Sequence, residues 1–150
     1  MKKKEVKAKG RVKAGGLYTA SKVPVETAVV SVLAGKLEYR GLQLIEPISR
    51  AVRLHEIHEL IITDEKVQDR RKPIQRVSYL AFVEVIKGGM ILVGDKANLN
   101  GKELGTLIGF DDTHMPNHQN IILFAQKRMD GVELEVKLGD VISFLSQDSR

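Results

Sequence analysis

Four histidines occur in the chain, and they fall in two pairs: His55 and His58 in HEIH, and His114 and His118 in DDTHMPNHQN. Imidazole suits two kinds of chemistry. Its unperturbed pKa of about 6.5 lets it take up or give a proton near neutral pH. As a neutral ring it also ligates Zn, Fe, Ni or Mn beside a carboxylate. The second stretch supplies both kinds of partner. Asp111 and Asp112 precede the histidines, and Asn117 stands beside His118. The expected roles follow from these types. His114, His118 and Asp112 form an acid–base group, with the aspartate orienting a ring. Asn117 and Arg53 meet a small polar or anionic substrate, with Arg50 or a lysine near the N-terminus as further anion partners. His55, His58, His114, His118 and Asp111 form the donor set for a divalent metal.

Neither spacing is a specific signature, and each residue has a plainer use. Aspartates cap turns through their carboxylates, loop histidines can be solvated or lie at subunit contacts, and HEIH can be a wet surface. The argument for a site is one of economy. The apolar runs 104–110 and 121–125 read as hairpin neighbours, which need about 2–5 connecting residues. Residues 111–120 use more, and almost all of them are polar. Loops longer than folding requires often carry function. Proline and asparagine in MPNH are turn formers, so the loop should be ordered.

The elements that must hold these side chains read mostly as strands. Apolar residues alternate through Val6–Ala14, Val77–Val85 and Val132–Leu138, and β-branched runs occupy 29–32 and 60–63. Two turns echo each other, Val93-Gly94-Asp95 and Leu138-Gly139-Asp140. The exception is the segment carrying HEIH. Pro47 can open a helix, and Ile48, Ala51, Val52 and His55 then share one face while Leu54, His58 and Ile61 share the next. A helix over 47–58 is expected. On it, His55 and His58 could grip one ion; on a strand they could not. The fold class is therefore mainly β: a small barrel-like domain of antiparallel strands spanning 1–150, with at most one notable helix, over about 47–58, and a basic tail at 1–5.

Composition narrows the function classes. Cysteine is absent, so disulfides and thiolate metal sites are excluded. No apolar run approaches the roughly 18 residues of a membrane span, and no apolar stretch follows the lysines of a secretory leader. A cytoplasmic location is the default expectation. The net charge of +5 is concentrated: residues 1–13 carry +6 and the rest −1. A nucleic-acid footprint through Lys7, Lys9, Arg11 and Lys13, helped by Arg70, Arg71 and Lys72, thus ranks below the other readings, because such binders spread their cations over a face. No Gly-x-Ser-x-Gly elbow or Gly-rich phosphate loop is present. Two readings lead. One is an enzyme acting on a small polar or anionic substrate, with or without a divalent metal. The other is a non-catalytic ligand-binding or homo-oligomeric assembly module.

Overall fold

Among the described residues there are twelve strands and no helix. The computed structural model describes residues 23–147 in full and the backbone of 11–14 and 17–20. The expected basic tail at 1–5 and the first part of the Val6–Ala14 strand lie outside the described residues. What is described there is a hairpin of β1 (Arg11–Ala14) and β2 (Leu17–Ala20).

The remaining strands are β3 (Val25–Val32), β4 (Lys36–Leu37), β5 (Ser49–Val52), β6 (Ile57–Thr63), β7 (Val77–Lys87), β8 (Gly89–Leu92), β9 (Lys96–Leu99), β10 (Lys102–Asp111), β11 (Asn120–Phe124) and β12 (Val141–Leu145). Seven of them close into a hydrogen-bonded ring in the order β3-β12-β9-β10-β11-β6-β7, with β7 pairing back onto β3. The mainly β, barrel-like architecture follows from this closure, which also removes free edges from the seven strands. Alternation decides the two faces. Leu60, Ile62, Val83, Leu107, Phe110, Leu123, Ile142 and Phe144 fill the interior. Ile61, Val77 and Ile122 point outward, where the segments around Leu42, Leu44, Val67 and Ile74 cover them in a second cluster.

One pairing breaks the antiparallel rule. Strand β11 runs parallel to β6, with Asn120 opposite Glu59 and Phe124 opposite Thr63. Parallel register sets the beginnings of the two strands side by side. It therefore brings the chain entering β6, which carries HEIH, against the chain entering β11, which carries the polar loop.

The expected helix over 47–58 does not form. Ser49–Val52 pairs with Gly89–Leu92 as a two-stranded ribbon, Arg53–Glu56 turns, and Ile57 opens β6. The apparent helical face is not a buried face: Val52 is buried, but Ala51, Leu54 and His55 are exposed. Backbone pairing with β8 and β7 satisfies this segment's N–H and C=O groups and overrides the local pattern. His55 sits in the turn at φ 75°, with its N–H donating to Val85 O at 2.7 Å.

The alternation at 132–138 also misleads. Residues 131–135 form turns, with Leu134 N–H donating to Asp130 O and Val136 N–H to Gly131 O. Only Val136 is buried, while Val132 and Leu138 are exposed. The echoed Gly-Asp turns are real. In each, the glycine has positive φ, 100° at Gly94 and 86° at Gly139. In each, the aspartate side chain receives the N–H three residues back: Leu92 to Asp95 at 2.9 Å, and Lys137 to Asp140 at 2.8 Å.

Candidate metal centre

The loop between β10 and β11 is ordered by its own aspartates. Asp111 is buried, and its Oδ1 accepts the Thr113 N–H and an Asn120 Nδ2–H, each at 2.9 Å. The Gln119 amide donates to Asp111 O at 2.9 Å and to the Asp112 carboxylate. Successive turns then fold residues 113–117, with Met115 N–H on Asp112 O and His118 N–H on His114 O; the Met115-Pro116 bond is cis. The outcome is that His114 and His118 lie ring against ring, with centroids 4.8 Å apart and planes 30° apart.

His118 turns inward from this loop. Its Nε2 lies 3.2 Å from Glu59 Oε1, and its ring meets the edge of Phe82 at a centroid distance of 5.0 Å. The side chains of His118 and Glu59 are 13% and 8% exposed, whereas His114 is exposed on the loop. One ligand atom each from Glu59, His114 and His118 lies within 4.8 Å of the others. These three come from two elements that only the parallel β6–β11 pairing makes neighbours. Two imidazoles and a carboxylate are the donor set that borderline divalent metals take, with further positions left for water or substrate.

His58 is close by but has a different task. Gln119 N–H donates to its Nδ1 at 3.0 Å, so Nδ1 is an acceptor. The proton of the neutral ring is then on Nε2, which donates to Glu56 Oε1 at 2.9 Å. Burial pushes the His58 pKa below the usual imidazole value, against the opposing pull of Glu56. Partial burial pushes Glu56 up, but the His58 hydrogen bond, the Arg53 backbone and the Arg50 charge outweigh it and leave its carboxyl below the usual range. Arg50 Nη1 stands 3.5 Å from both His58 Nε2 and Glu56 Oε1. With both nitrogens committed, His58 holds the loop rather than an ion.

The other predicted residues distribute as follows. His55 is exposed and pairs with Glu84 of β7 at 2.7 Å. It cannot share an ion with His58 as a helical pair would, because no helix exists there. Asp111 and Asp112 pin the loop. Asn117 is exposed beside His118, its Oδ1 3.5 Å from His118 Nδ1. Arg53 is exposed in the turn before β6. Sequence reasoning missed Glu59 and Phe82. A strand starting at Ile57 rather than Leu60 would have offered a signal, since alternation then sends His58 and Glu59 to opposite faces.

Residues 19–145 match a family of unknown function (DUF6917). No curated protein and no solved structure matches the chain.

Proposed function

We propose that this chain, which belongs to DUF6917, holds a divalent transition metal between Glu59, His114 and His118 and uses it on a small polar or anionic substrate. The convergence of these three donors is the observation that carries the reading. Metal–ligand bonds of about 2.0–2.2 Å require the donors to draw somewhat closer together. His114, exposed on the loop, is the ligand with room to do so. When bound, the metal would supply a polarised substrate oxygen or an activated water. His118 is shielded by Phe82, Asn117 is exposed beside it, and Arg53, exposed in the turn before β6, is the proposed partner of an anionic substrate group. A cytoplasmic site of action is part of the proposal.

Elemental analysis of purified protein, followed by calorimetric titration with Zn²⁺, Mn²⁺, Ni²⁺ and Fe²⁺, tests it. One ion per chain is expected. Glu59→Ala and His118→Ala should each weaken binding by at least about 100-fold, more than the 10–100-fold typical of losing an outer partner. Wild-type protein that binds no stoichiometric metal, or variants that bind as well as wild type, would refute the proposal.

An assembly role is the second reading. Leu54, Ile57, Ile86 and Met90 are exposed on adjoining segments of β5–β8 and β6–β7. Light scattering supports this reading if it finds a dimer that Ile57→Lys dissociates.

A further inference from the structure

At the far end of β11 a cavity opens on the outside of the ring. It has a volume of about 410 Å³ and lies between the 65–70 segment and the outer face of β10 and β11. Phe124, in its wall, is the last residue of β11, whereas Asn120 beside the histidine loop is the first. At about 3.3 Å per residue, some 13 Å of strand separates the two places. No lining residue is shared with the Glu59–His114–His118 group.

The lining is of two kinds. Val67, Val93, Ile108 and Phe124 make it apolar, and Lys66, Arg70 and Thr106 give it donors. The one acid, Glu65, is already engaged: its Oε2 accepts the Gln75 and Arg76 backbone N–H groups at 2.9 and 2.7 Å. The cavity is therefore cationic as well as apolar.

Arg70 is the unusual member. Its Nη1 donates to Ile108 O at 2.7 Å. Its Nη2 is buried and has no acceptor among the described residues. A buried donor without a partner is costly, and a guanidinium that does no more than bridge a carbonyl leaves most of its donors idle. Gly109 makes the placement possible, since a Cβ there would lie 2.9 Å from Arg70 Nη2 and 2.9 Å from Leu44 Cδ2. Nη2 lies against Gly109 and Leu44, and turning the guanidinium toward an anion in the cavity would exchange the single Ile108 O bond and the unpartnered Nη2 for charge-assisted bonds.

We propose that this cavity binds a small amphipathic carboxylate, its hydrocarbon part against Val93, Ile108 and Phe124 and its carboxylate between Arg70 and Lys66. The volume lies within the range of about 300–1,000 Å³ usual for small-molecule sites. A carboxylate gives Arg70 the acceptor it lacks, and charge-assisted pairing with the guanidinium is the strongest hydrogen bonding on offer. The apolar wall selects against a bare inorganic anion.

Titration of the isotope-labelled full chain with octanoate, followed by NMR, tests the proposal. Saturable binding with a Kd on the order of 1 mM is expected for so small a ligand. Shifts should centre on Lys66, Ile108 and Phe124. Methyl octanoate and acetate should each bind at least about tenfold more weakly, one lacking the charge and the other the chain. Arg70→Met should lose the preference for acid over ester. Lys66→Glu, at an exposed position that folding does not need, should weaken octanoate alone. Glu59→Ala should bind octanoate as wild type does, which separates this site from the metal centre. Absence of saturable binding, equal binding of acid and ester, or shifts centred elsewhere would overturn the proposal.

Discussion

His58 and His118 both lie near the paired starts of β6 and β11, yet only one has a nitrogen to spare for a ligand. His58 accepts the Gln119 N–H and donates to Glu56, so it acts as a clamp between the start of β6 and the last residue of the loop. Its removal has a clear expected outcome. His58→Leu leaves the buried Gln119 N–H without an acceptor, which costs about 1–3 kcal/mol of stability. The loop that presents His118 is then less well held, and metal affinity falls by about 10–100-fold, as for other outer partners. Urea denaturation and calorimetric metal titration read the two effects separately. Destabilisation with unchanged metal affinity would show that His58 serves the fold alone.

Among the elements, turns with buried or half-buried carboxylates set where strands begin. Asp130 accepts the Gly35 N–H at 2.8 Å and the Glu133 N–H at 2.9 Å, tying the chain before β4 to the turn after β11. The Gly35 hydrogen bond, with that from Glu133, holds the Asp130 carboxyl below its ordinary value of 3.8. A lowered folded-state pKa means that the ionised form is the stabilising one. Its contribution is complete above the unfolded value and is lost as pH falls through the folded one. Asp130→Ala should therefore cost about 1.5–3 kcal/mol at neutral pH, and the gap to wild type should narrow below the ordinary carboxyl pKa of 3.8. Urea unfolding midpoints at neutral pH and near pH 3 check both halves of the statement. A gap that stays constant with pH would assign the loss to packing instead. The same turn explains why the alternation at 132–138 makes no strand. A Cβ on Gly131 would sit 2.2 Å from Leu80 O and 2.7 Å from Leu33 O, so the backbone there is pressed against its neighbours and cannot run on as an extended ladder.

At the scale of the whole molecule, ring closure is the organising event. Strand β12 joins β3 to β9, with Val141 opposite Ala28 and Ile142 opposite Leu99. Phe144 and Ile142 are fully buried beneath it. Because the ring shares one interior, a cavity at this seam should weaken the whole protein and not one hairpin. Phe144→Ala should cost about 3–5 kcal/mol, seen as a lower urea midpoint with an unchanged slope. A loss confined to a local transition, with the main midpoint unmoved, would mean that the seam is not part of the cooperative unit. Closure also divides the surface: the Glu59–His114–His118 group lies where β6 and β11 begin, and the Arg70 cavity lies where β11 ends.

Period-two apolar patterns determined from sequence alone that the chain is strand-rich, that 104–110 and 121–125 are hairpin partners, and that two Gly-Asp turns recur. Each of these rests on contacts within a few residues or across a single turn. The oversized polar loop was legible for the same reason, because its length exceeds what its two strands require. Tertiary structure alone decided that β6 lies parallel to β11, that 47–58 is strand, turn and the start of another strand, and that Glu59 rather than Asp111 faces the two loop histidines. Those outcomes depend on pairing between segments distant in the chain, such as Val52 with Gly89, Ile57 with Glu84 and Asn120 with Glu59. Backbone groups take whichever partner the closed ring offers, and no local periodicity encodes that choice.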